Sequence, residues 1–413
     1  PSTTTSCRCM AKGRRTGRSA RAVRATPARL LAVDITRQCR LRGAYVRELV
    51  NTRRETSGLS HEEFDYAQVL SFGVVMCRGT LDEFIDRNLN SPHDIKPEVR
   101  DCLRISAYEL LFLGKPSHAV VDQGVELVRA TSSRASGLAN AVLRKMAADA
   151  KGFPWGDAAT SIRAFARTYG VPKWLARLLV RQYGHEKARA MLAADLLPAP
   201  TYLHDNPYQP GERFASDLSA QHVASLVPLA GTVLEIGAGR GTKTALLQAR
   251  ALEELGHPIF IHAVDIHEFK VRLLSERMEQ MGIPDVATHV GDATDLDAIA
   301  DLPRAFDTVF IDAPCSGTGT LRRHPEIRWR IDPRDIESLT QIQAQMLQSA
   351  AAYVRPGGAL VYATCSVLDS ENDALVQAFL NTSAGVQFTL EERFASVPAE
   401  AGPDGHFAVV LRK

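Results

Sequence analysis

Val233-Leu234-Glu235-Ile236-Gly237-Ala238-Gly239-Arg240-Gly241-Thr242-Lys243-Thr244 reads as an apolar strand, a glycine-rich turn and the start of a helix. Glycine lets the backbone approach a ligand closely, and a helix N-terminus presents free N–H groups to it. A dinucleotide fingerprint needs a third glycine three residues after Gly239, but Thr242 stands there. The spacing to Lys243-Thr244 does not fit a phosphate-binding P-loop either.

Outward from this turn, apolar runs at Val233–Ile236, Ile259–Val264, Phe306–Ile311 and Ala359–Ala363 alternate with helical patterns at Thr242–Leu255, Glu268–Met281, Asp335–Tyr353 and Glu371–Leu380. Such alternation predicts a parallel, doubly wound α/β sheet. Val386–Leu390 and Phe407–Leu411 are expected as late strands at one edge. Ligands of such sheets bind beyond the carboxyl ends of the strands. Asp265 and Asp292 end the second and third strands, placed for the ribose and the adenine amino group of a nucleoside. The cofactor set is therefore Glu235, Ile236, Gly237, Ala238, Gly239, Gly241, Lys243, Asp265, Asp292 and Asp312. Two close glycines with a ribose acid and no third glycine favour S-adenosylmethionine over NAD.

Towards the N-terminus the period changes from two to three or four. Leu30, Leu31, Val33 and Ile35, then Leu103, Ile105, Leu110 and Leu111, predict an all-helical bundle. A second helical stretch runs from Ala158 to Leu196, and Pro198, Pro200, Pro207 and Pro210 mark an irregular connector. The expected division is a basic flexible arm over 1–28, a helical domain over 29–150, a connector over 151–212 and the α/β domain over 213–413.

The chain has 413 residues, 49 Lys/Arg and 47 Asp/Glu. Eight of the basic residues and none of the acids fall in residues 1–30, so the body is mildly acidic and the arm suits nucleic acid. A solubilising tail and an organelle transit peptide are the other readings of that arm. No apolar run approaches a membrane span. Seven scattered cysteines and no secretory signal predict a reduced, cytoplasmic chain, and Cys7-Arg8-Cys9 lacks a partner pair for a metal. Cys39, Cys77 and Cys102 lie in helical patterns and read as small core residues.

Cys315 and Cys365 differ, because each ends a strand. Asp312-Ala313-Pro314-Cys315-Ser316-Gly317-Thr318-Gly319 and Ala363-Thr364-Cys365-Ser366 together resemble the signature of RNA cytosine-5-methyltransferases. Leu321–Trp329, Ser366–Asn372 and Asp217–Gln221 resemble further stretches of that family. The helical half, with Arg104–Leu110 and Ala139–Leu143, is similar to the NusB RNA-binding fold. The combination resembles the bacterial 16S ribosomal RNA methyltransferase B (Sun/Fmu) family, a NusB-like bundle followed by a Rossmann-like methyltransferase domain. The resemblance implies Cys365 as nucleophile, Cys315 as the thiol that permits release, Asp312 as a hydrogen-bonding partner of the base, and Lys243 in support. It also implies RNA, here ribosomal RNA, as partner; a monomer without a metal is expected. Arg322, Arg323, His324, Arg328 and Trp329 are expected to contact the RNA backbone.

Two departures stand out. Arg240 and Thr242 occupy positions where the family has proline and glycine, and Glu235 is longer than the usual aspartate. Pro198–Phe214 is too short for the family's usual small RNA-recognition subdomain. The rival reading is a non-catalytic NusB-like RNA-binding or assembly protein with a degenerate cofactor loop.

Overall fold

The computed structural model describes residues 24–413. Most of the expected basic arm lies outside them. The helical half contains α1 (Pro27–Arg42), α2 (Val46–Thr56), α3 (His61–Met76), α4 (Arg78–Arg87), α5 (Pro97–Leu111), α6 (Ser117–Thr131) and α7 (Ser136–Asp149). Their apolar stripes meet in a core of Leu70, Leu81, Phe84, Leu103, Ile105, Leu127 and Leu143, all fully or almost fully buried. Each such side chain contributes about 1.5–3 kcal/mol relative to exposure. The buried carboxylates of α5 are paired: Asp101 takes both Arg40 and Arg104, and Glu109 takes Arg29.

The expected helical stretch from Ala158 to Leu196 is three helices, α8 (Ile162–Thr168), α9 (Lys173–Tyr183) and α10 (His185–Ala194). Gly170 and Gly184, both at positive φ, break it. These helices share a core with Leu321, Ile336, Val367 and Leu368 of the α/β half. The connector is thus packed onto the sheet domain. Its proline-rich end is not irregular as expected. β1 (Leu203–Asp205) and β2 (Arg213–Ala215) form an antiparallel hairpin, with His204 packed on Phe214 and the Asn206 side chain holding the turn.

The sheet follows, from β3 (Thr232–Ile236), β4 (Phe260–Asp265), β5 (Val286–Val290), β6 (Phe306–Asp312), β7 (Val354–Thr364), β8 (Thr389–Ala395) and β9 (Phe407–Arg412), in the order β5-β4-β3-β6-β7-β9-β8. β3 through β7 pair in parallel, and β9 runs antiparallel between β7 and β8. The helices of this half are α11 (Leu218–Ser225), α12 (Thr242–Leu255), α13 (Glu268–Gln280), α14 (Ile327–Arg330), α15 (Pro333–Ala351) and α16 (Asp373–Leu380). One face of the sheet packs on α15 and α16, the other on α11, α12 and α13. The late strand expected at Val386–Leu390 begins later, at Thr389, because Gly385–Gln387 forms a 3-10 turn. β8 is an edge strand with mostly exposed side chains, so it carries little apolar signal. No helix of the described residues is long and apolar enough to cross a membrane.

Candidate active site

The parallel order puts the carboxyl ends of β3, β4, β6 and β7 on one side. The β3 turn passes directly under the end of β6: a Cβ on Gly237 would sit 2.2 Å from the Asp312 carbonyl oxygen, at φ +77°. Only glycine fits there. The turn is closed by Asp265, whose Oδ2 accepts from the Gly239 amide at 3.0 Å and whose Oδ1 accepts from the His267 amide at 2.9 Å.

Beside this turn lies a cleft of about 220 Å³. Of the expected cofactor residues, Ile236, Gly237, Gly239, Asp265, Asp292 and Asp312 line it. Ala238 and Gly241 do not; Gly241 turns the chain into α12 at φ +77° and faces Leu274 and Met278. Glu235 is corrected outright. It is fully buried and accepts from the Thr244 hydroxyl at 2.7 Å, away from the cleft. Burial pushes its carboxyl up to about 8. The extra methylene thus serves an internal contact to α12. Asp292 also caps the turn that follows it, accepting from the Thr294 amide at 2.9 Å. Sequence reasoning missed the apolar walls, Ile266, Ile342 and Met346. Ile266 is 57% exposed directly after a strand-end acid, which is the signal that marks it.

Across β6 from this cleft, the two cysteines meet. Cys315 Sγ and Cys365 Sγ lie 3.2 Å apart, both half-buried. Lys243, from the first turn of α12, reaches the same place, with Nζ 2.6 Å from Asp312 Oδ2. Burial opposes the lysine's charge, and the Asp312 carboxylate more than offsets it, so the ammonium stays above the ordinary lysine range. The thiol pair is asymmetric. The hydrogen bond from Cys315 holds Cys365 below the ordinary thiol range, helped by the Lys243 charge. The same contact and burial drive Cys315 well above it. Of the two thiols, Cys365 is thus the one that ionises more readily and Cys315 the one that holds its proton more firmly. Cys39, Cys77 and Cys102 form the contrast: burial pushes them to about 12, 12 and 11.

Glu371, a residue without an expected role, ties the two cysteine loops together. This fully buried carboxylate accepts from the Ser316 amide at 2.8 Å, the Ser316 hydroxyl at 2.5 Å, the Ser366 hydroxyl at 2.5 Å and Gln343 Nε2 at 3.1 Å. Gly319 adds a backbone link, donating to the Cys365 carbonyl at 2.9 Å and accepting from the Gly405 amide at 2.8 Å. His406, next to it, is buried, and burial and the Lys243 charge press its imidazole down to about 4.

The stretch expected to touch RNA is turned inward. Arg322 pairs with Asp404 at 2.6 Å with its side chain wholly buried. Arg323 bonds Asp404, Asp217 and the Pro200 carbonyl. Arg328 is fully buried and donates to the Asp195 carbonyl at 3.0 Å. Trp329 donates to the Met76 carbonyl at 2.9 Å and packs on Gly79 of α4. His324 stands edge-on to Tyr45, with ring centroids 5.7 Å apart. The expectation of RNA-backbone contact is corrected for Arg322 and Arg328, which are buried; Arg323, His324 and Trp329 are half-buried, and the side chains of all five join the bundle, connector and sheet domain. A charge run reads as solvated when the acids that pair with it lie far away in sequence, as Asp217 and Asp404 do. Among the described residues no group of three or more His, Cys, Asp or Glu is arranged to hold a metal ion.

Residues 226–408 match the family described as 16S rRNA methyltransferase RsmB/F, and residues 26–148 match the NusB family. A protein of Bacillus subtilis (strain 168), "Probable ribosomal RNA small subunit methyltransferase B", is 26% identical over 449 residues, covering 94% of this chain and 99% of its own. The "Ribosomal RNA small subunit methyltransferase B" of Thermus thermophilus is 30% identical over 380 residues, covering 87% and 88%. Among solved structures, PH0851 superposes with a TM-score of 0.72 at 19% identity, over 95% of this chain and 100% of that one, which shows a shared fold.

Proposed function

The chain belongs to the family of 16S rRNA methyltransferases RsmB/F, and from that premise we propose that it methylates carbon 5 of a cytosine in small-subunit ribosomal RNA through a covalent adduct on Cys365. The observation that carries this reading is the asymmetric thiol pair, 3.2 Å apart, beside the Lys243–Asp312 pair at the strand ends that line the cofactor cleft.

S-adenosylmethionine supplies the methyl group when bound. The cleft suits it: Gly237 and Gly239 allow close backbone approach, Asp265 offers acceptors to a ribose, and Ile266, Ile342 and Met346 offer apolar walls to a purine. Lys243 is expected to act from the catalytic side, since it does not line this cleft.

Carbon 5 of cytosine is a weak nucleophile. Addition of the Cys365 thiolate to carbon 6 forms a C–S bond and moves the ring electron pair to carbon 5, which takes the methyl group. Asp312, braced by Lys243, accepts from the exocyclic amine, and from ring nitrogen 3 once that nitrogen takes a proton in the adduct, and so favours the adduct. Cys315, once its own proton has passed to solvent, takes the carbon 5 proton; the freed C–H electron pair re-forms the C5=C6 bond, the C–S bond breaks and Cys365 leaves as the thiolate. The target base must be unstacked to reach the site.

The test is to incubate a Cys315→Ala variant with cofactor and RNA lacking 5-methylcytosine, then seek an SDS-resistant protein–RNA band. A band that disappears when Cys365 is also replaced supports the mechanism, and sequencing the attached RNA names the nucleotide. An active Cys365→Ala enzyme would sink it. No band together with no cofactor binding would instead favour a non-catalytic RNA-binding protein.

A further inference from the structure

A cavity of about 150 Å³ lies in the seam between the bundle and the Glu326–Arg330 segment. Four arginines line it, Arg40, Arg78, Arg104 and Arg330, with Glu326 as the only carboxylate among the lining residues. Arg40 and Arg104 are held by Asp101 and Asp82. Arg78 and Arg330 make no ion pair among the described residues. Arg330 instead donates to the Ala44 carbonyl at 2.8 Å and lies over the Tyr45 ring, 5.0 Å from its centroid. Arg78 is exposed and has no hydrogen-bond partner at its guanidinium among the described residues.

Glu326 is the second, independent signal. One carboxylate oxygen accepts from the Val46 amide, while Oε2 is buried with no partner. A buried polar atom left without a partner is unfavourable, and a donor on a ligand would relieve it. Burial also lifts Glu326 above the ordinary glutamate range. Burial and the nearby Arg104 hold Arg78 below the ordinary arginine range.

We propose that this seam cavity binds one ribose-phosphate unit of the RNA backbone, with the phosphate on Arg78 and Arg330 and a ribose 2′-hydroxyl on Glu326. Guanidinium groups bind phosphate oxygens by charge-assisted hydrogen bonds. A 2′-hydroxyl both donates and accepts, so it satisfies Glu326 in either protonation state, and it is the group by which a protein tells RNA from DNA. The inference rests on RNA being the substrate. It moves RNA contact from the buried Arg322 and Arg328 to arginines that still have donors to offer, and it makes the bundle and the catalytic half share one ligand.

The test measures binding by the full chain to a short fluorescein-labelled single-stranded RNA of mixed sequence, and to DNA of the same sequence, across a salt series. Arg78→Glu breaks no side-chain hydrogen bond or ion pair among the described residues and should weaken RNA binding roughly tenfold while lowering the salt slope by about 0.7. Arg330→Ala should act in the same direction. Glu326→Gln should narrow the preference for RNA over DNA and leave DNA binding unchanged. Circular dichroism and S-adenosylmethionine affinity, unchanged throughout, establish that each variant folds. Wild-type affinity and salt slope in both Arg78→Glu and the Arg78→Glu/Arg330→Ala double variant would overturn the site while RNA remains the substrate. Wild-type protein that binds no RNA would overturn the substrate reading and this site with it.

Discussion

The Sγ atoms of Cys315 and Cys365 lie 3.2 Å apart, and this contact lowers the acidity of Cys315 while raising that of Cys365. Two thiols at the ends of neighbouring parallel strands meet because β6 and β7 pair in register, Asp312 beside Ala363. The asymmetry comes first from the hydrogen bond between the two thiols, and the Lys243 charge adds to it at Cys365.

The alkylation profile of Cys365 should follow. Iodoacetamide should modify it with a midpoint below the ordinary thiol range, while Cys39, Cys77 and Cys102 stay unreactive in the folded protein. Cys315→Ala removes the donor to Cys365, so the midpoint should rise. A midpoint that stays put would show that Cys315 does not set the charge.

Glu371 holds both cysteine loops through Ser316 and Ser366. Glu371→Ala strands several buried donors, at about 1–3 kcal/mol each, and should lower the melting temperature and methyl transfer together. Glu371→Gln keeps the shape and one acceptor oxygen, and should retain more of both. Equal activity in wild type and Glu371→Ala would remove the carboxylate from any role at the site.

Gly237→Ala places a Cβ against the Asp312 carbonyl at a backbone angle that favours glycine. The β3 turn must shift, which should weaken S-adenosylmethionine binding measured by calorimetry. Gly256→Ala also sits at positive φ but meets nothing within 4 Å, so it controls for backbone strain alone.

Burial raises Glu235 to about 8, above its unfolded value. Its contribution to stability is therefore fully present below the unfolded value and is lost as pH rises towards about 8. Glu235→Gln should flatten the fall in denaturation midpoint between acidic and mildly alkaline buffer. An unchanged slope would mean the carboxyl titrates normally.

Trp329 anchors the bundle by its bond to the Met76 carbonyl and its packing on Gly79. Trp329→Ala should cost about 3–5 kcal/mol of packing and open the seam to limited proteolysis. Gly79→Ala, whose Cβ would fall 2.2 Å from the Trp329 ring, should do the same from the other side.

Local sequence was enough for the strand–turn–helix at Val233–Thr244, for the strand alternation, and for the placing of Cys315 and Cys365 at strand ends. These depend on periodicity and on glycine, which act over a few residues. The partners of Arg322, Arg323, Arg328 and Trp329 were decided by tertiary structure alone, because Asp404, Asp217, Asp195 and Met76 lie tens to hundreds of positions away along the chain. The same holds for Glu235, whose burial depends on α12 packing against β3, and for Glu371, which looks like an ordinary helix-start acid until the two cysteine loops fold around it. A charge in a sequence is read as solvated by default; whether it pays for its burial with a partner is fixed only when distant segments meet.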